Sequence, residues 1–174
     1  MRLRERGFNI IELLVTLMVV GVVIAMGAPT MADFISDMRL SATTNDLLAY
    51  FNYARSEAAK RGARVTVCIS ADQGTCATTE TNWAVGAVAF VDADNDGQVD
   101  SGETVLRVLN PMSSGVTVFA TSAFSTDHYF YYRPSGAANS QGTLRVCRSG
   151  RKARDVSISN VGRPMSQATT TVCP

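Results

Sequence analysis

Apolar residues fill the chain from Phe8 to Ala28, and Glu12 carries the only charge among these 21 residues. A helix of that length spans about 31 Å, which is enough to cross the hydrocarbon core of a bilayer. No polar region with a small-residue cleavage site follows the run, as it would in a secretory signal that is removed. The pattern therefore predicts a membrane-spanning helix that remains in the mature protein.

A helical period continues beyond Pro29, where apolar residues recur every three or four positions. They are Met31, Phe34, Ile35 and Met38, followed by Leu47, Leu48, Phe51, Ala54 and Ala58. Lys60 and Arg61 suit the C-terminal end of the helix dipole, and Gly62 suits the position just after it. We predict one helix from Phe8 to about Arg61, kinked at Pro29, whose second half packs its apolar stripe against a globular domain.

Beyond Gly62 the hydrophobic pattern changes to the period of two that is typical of strands. The apolar segments lie at 64–69, 84–91, 104–109, 116–119, 128–132, 143–147 and 155–159, with turn residues between them. Gly86 lies inside the second segment, where it indicates a bulge. The predicted fold class is α+β, with a long N-terminal helix packed on a C-terminal antiparallel pair of sheets of about seven strands.

The chain divides into four predicted regions. Residues 1–7 form a short basic leader, with three arginines and one glutamate. Residues 8–29 form the membrane-spanning helix, residues 30–62 the amphipathic helix, and residues 63–174 the β domain.

Glu12 is unusual because a carboxylate within a membrane-spanning helix costs free energy, about 2.5–3.5 kcal/mol at the centre and less near an end. Such groups usually have a partner. The partner that we infer is the amine of Phe8 on a neighbouring subunit, created by cleavage after Gly7. The alternative is an interfacial glutamate tolerated on a plain membrane anchor.

The segment from Gly7 to Leu14 resembles the class III signal of type IV prepilins and type II secretion pseudopilins, whose pattern is Gly-Phe-Thr-Leu-Ile-Glu-Leu. The resemblance implies cleavage between Gly7 and Phe8 by a prepilin peptidase, N-methylation of Phe8, and polymerisation through packed N-terminal helices in which Glu12 takes part. It also implies a single-pass inner-membrane protein with a periplasmic C-terminal domain. Its partners would be other minor and major pilins in an assembled pilus.

The rest of the chain resembles the GspH/FimT family of minor pilins and pseudopilins (FimT/FimU-like). The stretches that resemble the family are 53–58, 61–62, 65–68, 83–86, 90–94, 153–158 and 162–163. The family usually has Gly-Trp near Gly86, and this aromatic residue is missing here. The resemblance implies a low-copy subunit that primes or caps a pilus and takes part in its assembly. A type II secretion pseudopilin is the alternative.

The four cysteines all lie beyond the membrane segment, which indicates two disulfides in an oxidising compartment. Cys68 and Cys76 flank a short loop, so we favour that pair, with Cys147 joined to Cys173. Metal binding by the cysteines is disfavoured by their wide spacing and the lone His128. No arrangement of residues typical of an enzyme is found, and we expect no catalytic activity and no required cofactor.

The twelve residues from Asp92 to Glu103 fit the calcium-loop pattern D-x-D-x-D-G-x₅-E. In that pattern the side chains of Asp92, Asp94, Asp96 and Glu103 and the backbone carbonyl of Gln98 supply oxygen ligands. The flanking segments are predicted strands, so the loop would lie within a hairpin. The alternative to a possible Ca²⁺ site is a solvated acidic turn, because turns favour the same residues.

Basic residues concentrate near the C-terminus, where residues 143–174 contain six basic residues and one acidic residue. The candidates for binding DNA phosphates are Arg148, Arg151, Lys152, Arg154 and Arg163, which could share one exposed edge. FimT-type pilins include DNA receptors for natural transformation with a Gly-Arg-x-Arg motif, of which Gly162 and Arg163 keep only the first half. The alternative is a solvated hairpin tip or a patch that docks the acidic 92–103 region of a neighbouring subunit.

Overall fold

The fold is taken from a computed structural model, which describes residues 9–122 and 128–174, without the side chains of residues 28–30. One helix, α1, runs from Ile10 to Arg61, and Pro29 lies within it rather than ending it. The chain divides between Asp37 and Met38 into two units, each described by itself below. The proposed leader cleavage site, Gly7 and Phe8, lies outside the described residues.

Among its described residues, the second unit contains eight strands in two four-stranded antiparallel sheets. They are β1 (Val65–Ile69), β2 (Ala87–Val91), β3 (Thr104–Leu109), β4 (Val116–Ser122), β5 (Tyr129–Tyr132), β6 (Gly142–Arg148), β7 (Lys152–Ile158) and β8 (Pro164–Val172). The first sheet has the order β3-β2-β1-β5 and the second the order β4-β6-β7-β8. The predicted fold class, a long N-terminal helix with antiparallel sheets, is confirmed.

The core of this unit forms where the last turns of α1 meet both sheets. Leu47, Phe51, Ala54 and Ala58 are fully buried there, as the helical spacing predicted. Phe130 of β5 lies at the centre of an aromatic cluster, with ring centroids 5.4 Å from Phe51, 6.0 Å from Trp83 and 5.5 Å from Tyr132. The Phe51 and Tyr132 rings pack edge-to-face on Phe130, an arrangement that adds stability beyond area burial.

Asn82 links the short turn before β2 to β4 of the second sheet through a single side-chain oxygen. Its Oδ1 accepts hydrogen bonds from Ala84 N at 3.1 Å and from Val118 N on β4 at 2.9 Å. The first bond caps a short 3₁₀ turn, Trp83–Val85, which places the Trp83 ring in the core. The long apolar run predicted as one strand is therefore divided into this turn and β2.

Gly86 corrects a second detail of that prediction. It is not a bulge but the residue that ends the 3₁₀ turn, with φ +123°. A Cβ at this position would lie 2.8 Å from Ser70 O and 2.9 Å from Leu109 O. Glycine is required here by both the backbone angle and the close approach of two other chain segments.

One further prediction is wrong. The strand count was seven, and β8 was missed because it begins with Pro164 and is polar and mostly exposed, so it has no period of two. Within the second unit, burial along α1 begins at Leu40. The apolar residues Met31, Phe34, Ile35 and Met38 are exposed.

Candidate functional site

The N-terminal unit presents an apolar surface along its helix. Every described side chain from Ile10 to Gly27 is exposed, and α1 is long and apolar enough to cross a membrane by length and composition. Asn9 begins the helix, because its backbone oxygen accepts from Glu12 N at 3.0 Å and from Leu13 N at 3.2 Å. Glu12 therefore lies in the first turn, where a negative charge interacts favourably with the helix dipole, and its side chain is exposed.

A second candidate region is the acidic segment 92–103, which we call the acidic loop and which links β2 to β3. Asp92 starts the loop and is buried, with 1% of its surface exposed. Its Oδ2 lies 3.0 Å from Arg64 Nε and accepts a hydrogen bond from Thr66 Oγ1 at 2.5 Å. Its Oδ1 is also buried and has no hydrogen-bond partner within the part of the chain that the structure describes.

Asp94 and Asp96 are exposed, and they lie beside Asp92. One carboxylate oxygen from each of these three residues falls within 4.8 Å of the other two. Asp94 Oδ1 accepts from Asp96 N at 3.2 Å, and Asp96 Oδ1 accepts from Gln98 N at 2.7 Å. These bonds, together with the positive φ of Asn95 (+71°) and Gly97 (+80°), fold the backbone around the three carboxylates.

Glu103 is used differently from the three aspartates. Its Oε1 accepts from Ala93 N at 2.8 Å and its Oε2 from Asp100 N at 3.2 Å. Of the predicted ligand side chains, the structure thus brings Asp92, Asp94 and Asp96 together, while Glu103 ties the two ends of the loop through backbone amides.

Both disulfides occur with the pairing that the sequence favoured, Cys68–Cys76 and Cys147–Cys173. Within the first disulfide loop, Asp72 Oδ1 accepts from Gly74 N at 3.0 Å and Thr75 N at 2.8 Å, and Oδ2 accepts from Thr75 Oγ1 at 2.6 Å. These bonds favour the ionised carboxylate and hold the pKa of Asp72 well below its usual range, with the Thr75 hydroxyl as the largest cause. The second disulfide ties the end of the chain to β6.

The basic residues near the C-terminus do not form one patch. Arg148 Nη1 donates to Ser114 O at 3.1 Å, and Arg151 and Lys152 follow it at the turn between β6 and β7. Arg163 lies beyond the other end of β7, because Ile158 pairs with Pro164 whereas Lys152 pairs with Val172. Seven residues of strand separate the two turns by about 20 Å. The prediction that Arg163 shares an edge with Arg151 and Lys152 is wrong.

One neighbouring arginine is neutralised within the sheet. Arg145 makes a two-pronged ion pair with Asp155 on the adjacent strand, with Nε–Oδ1 and Nη2–Oδ2 distances of 2.8 Å. Hydrogen bonding to Asp155 raises the pKa of Arg145 above its ordinary value. The single acidic residue of this region, Asp155, thus forms its ion pair with Arg145 on the adjacent strand.

Arg55 is a residue whose role sequence reasoning missed. From α1 its Nε donates to Gly136 O at 2.9 Å and its Nη2 donates to Val161 O at 3.0 Å. It therefore fastens the turn between β5 and β6 and the turn between β7 and β8 to the helix. Gly162 has φ +77°, and a Cβ there would collide with Gly136 O, so the two turns pack backbone to backbone.

Comparison with known proteins gives one family match and two similar structures. A family model described as type II transport protein GspH matches residues 43–162. A crystal structure of the type IV minor pilin FimU from Pseudomonas aeruginosa is 21% identical, covers 80% of this chain and 99% of that chain, and has a TM-score of 0.62. A second crystal form of the same protein is 20% identical, with coverages of 76% and 99% and a TM-score of 0.58. No curated protein sequence matches the chain.

Proposed function

The chain belongs to the GspH family, and on that basis we propose that it is a minor pilin that joins a type IV pilus and takes part in its assembly as part of a priming or tip complex. The fold that it shares with the minor pilin FimU is consistent with this role. The observation that most directly supports it is the exposed apolar helix from Ile10 to Gly27, which carries one carboxylate in its first turn. Such a surface needs lipid or other apolar helices around it.

We infer that the precursor is cleaved between Gly7 and Phe8, that Phe8 is N-methylated, and that the subunit is held in the inner membrane before assembly. The two disulfides support a periplasmic location for the β domain, because such bonds persist in oxidising compartments. In this scheme Glu12 pairs with the Phe8 amine of a neighbouring subunit, which supplies the partner that an intramembrane carboxylate requires.

The test replaces Glu12 with glutamine, which keeps the size of the side chain and removes its charge. We expect the Glu12→Gln protein to reach the inner membrane at wild-type levels but to decline at least several-fold in sheared pili. Thr16→Val is the matched control, since it removes a polar group from the same exposed helix without changing its charge. Wild-type incorporation of the Glu12→Gln protein would show that the pairing is wrong.

Deletion of the gene, with pilus number, secretion and DNA uptake measured together, distinguishes this role from the two alternatives. We expect fewer pili and, as a consequence, less DNA uptake. A secretion defect with normal pili would indicate a pseudopilin. Loss of DNA uptake with normal pili would indicate a DNA receptor and contradict a purely structural role.

A further inference from the structure

We propose that the acidic loop binds one Ca²⁺ ion through the carboxylates of Asp92, Asp94 and Asp96. This site is independent of the proposed function, since it is argued from the geometry of the β2–β3 connection alone.

The spacing of the three carboxylates fits a shared cation. Ca²⁺ binds oxygen ligands at about 2.3–2.6 Å, so two oxygens on opposite sides of one ion are separated by roughly 5 Å at most. The three aspartates place one oxygen each within 4.8 Å of one another. Negative charges this close repel each other unless a cation lies between them.

Asp92 gives an independent reason to expect a ligand. Its Oδ2 is fully engaged by Arg64 and Thr66, whereas its Oδ1 is buried and lacks a partner among the described residues. Buried polar atoms in proteins nearly always have a partner, and a carboxylate oxygen without one destabilises the fold. A cation held between Asp92 and the two exposed aspartates would satisfy this atom.

The loop holds its carboxylates in place by bonds that do not depend on an ion. Asp94 and Asp96 each accept a backbone amide two residues further on, and Glu103 ties both ends of the loop. Gly97 packs against the Tyr129 ring so closely that a Cβ would lie 2.6 Å from it. Ordering the loop in advance lowers the entropic cost of binding.

Net charge also favours a divalent cation. The loop contains five acidic residues and no basic residue. Arg64, which directly precedes β1, contacts the loop through Asp92 Oδ2 and through the carbonyl of Asn95, to which Nη1 donates at 3.2 Å. This contact offsets one negative charge, and no described residue forms an ion pair with Asp94 or Asp96.

The ligand chemistry selects Ca²⁺ over other common ions. All candidate ligand atoms are oxygens, and the cysteines nearest in sequence, Cys68 and Cys76, are joined to each other, so a zinc site is disfavoured. Mg²⁺ requires a near-octahedral site and keeps much of its water, whereas Ca²⁺ accepts six to eight oxygens in flexible geometry. Extracellular Ca²⁺-binding modules have dissociation constants of about 10⁻⁴–10⁻³ M, and we expect an affinity in the same range for this loop.

Calorimetry on the full chain in detergent, stripped with a chelator, tests the site. We expect a saturable heat on Ca²⁺ addition, a higher melting temperature at millimolar Ca²⁺, and at least tenfold weaker binding of Mg²⁺. Asp94→Asn and Asp96→Asn should each weaken Ca²⁺ binding about tenfold or more. Both changes keep the side-chain oxygen that accepts the turn hydrogen bond, so the loop should still fold.

Asp46→Asn is the matched control, because it removes the same charge from an exposed position on α1 outside the loop. Its Ca²⁺ affinity should equal that of the wild type. Absence of both heat and thermal stabilisation at about 10 mM Ca²⁺, a level well above the affinity expected for such modules, would overturn the proposal. Equal losses of Ca²⁺ affinity in Asp46→Asn and Asp96→Asn would also overturn it, as would equal affinities for Ca²⁺ and Mg²⁺. Either result would indicate that cations are attracted to the acidic surface in general rather than bound at one site.

Discussion

Single side chains fasten together segments that are far apart in the sequence. Arg55 on α1 binds carbonyls at positions 136 and 161, and Asn82 binds amides at positions 84 and 118. The sequence did not predict these contacts, because each partner is a backbone group that every residue possesses. By contrast, the aspartate spacing of the acidic loop was recognisable, since its pattern depends on side chains alone. The burial of Asp92 and its pairing with Arg64 became visible only in the fold.

The hydroxyl of Tyr132 is the basis of a prediction about stability. It is buried without a hydrogen-bond partner among the described residues, and burial raises the pKa of Tyr132 above its ordinary value. Tyr132→Phe removes this unsatisfied group and keeps the ring contact with Phe130, so we expect stability to stay level or rise by about 1 kcal/mol. Chemical denaturation monitored by circular dichroism measures the change.

Tyr50→Phe is the matched control for that substitution. Tyr50 is equally buried, but its hydroxyl donates to Arg107 O at 3.3 Å. Losing this bond should destabilise the protein by about 1 kcal/mol. Equal changes in stability for Tyr132→Phe and Tyr50→Phe would contradict the conclusion that the Tyr132 hydroxyl lacks a hydrogen bond while the Tyr50 hydroxyl has one.

Asp72 leads to a prediction about pH dependence. Its pKa in the folded protein is lowered by hydrogen bonds from Thr75, Gly74 and Ser70, so folding favours the ionised form. Its contribution to stability is therefore complete above the unfolded-state pKa of about 3.9 and is lost as the pH falls through the lower folded-state value. Asp72→Ala should lower the melting temperature at pH 6, and the difference from the wild type should shrink steadily below pH 4. A difference that is constant between pH 6 and pH 2 would contradict this role.

At the level of elements, periodicity predicted α1 and seven of the eight strands found in the described part of the chain, in their correct order. The hydrophobic pattern gave the wrong prediction in two places, where the conformation does not depend on alternation of buried and exposed side chains. Strand β8 is mostly exposed and pairs with β7 through its backbone, which leaves little trace in the pattern of side chains. The turn at Trp83–Val85 could not be distinguished from a strand in the sequence, because its residues are as apolar as those of β2, which follows it.

A substitution at Gly86 tests the close packing of the residue that ends this turn. Gly86→Ala would place a Cβ against Ser70 O and Leu109 O at a backbone angle that alanine rarely adopts. We expect it to destabilise the β domain by about 1–3 kcal/mol. Gly74→Ala is the control, because a Cβ at position 74 meets nothing within 4 Å. Thermal melts that are indistinguishable for the two variants would contradict the packing described for this turn.

At the level of the whole molecule, hydrophobic residues serve two separate purposes. From Leu40 onward most of them build the core of the β domain, whereas the described apolar residues from Ile10 to Met38 are exposed. Sequence periodicity cannot distinguish these two cases. An apolar helix stripe that packs in the core of its own chain has the same residue spacing as a stripe that packs on another molecule. The same limitation led Arg163 to be grouped with basic residues that are near in sequence but lie at the other end of a strand.

The exposed stripe at Met31, Phe34 and Ile35 supplies the last prediction, which rests on the proposed pilin function. If neighbouring subunits cover this face after assembly, a charge placed on it should block packing without affecting the β domain, whose core begins at Leu40. We expect Phe34→Glu to leave the melting temperature of the purified protein within about 2 °C of wild type, as is typical of surface substitutions. Its level in sheared pili should fall at least several-fold. Ala32→Glu adds the same charge to an exposed position about 200° around the helix, away from Phe34, and should be tolerated better. Equal incorporation of both variants at wild-type levels would show that this face stays uncovered in the pilus.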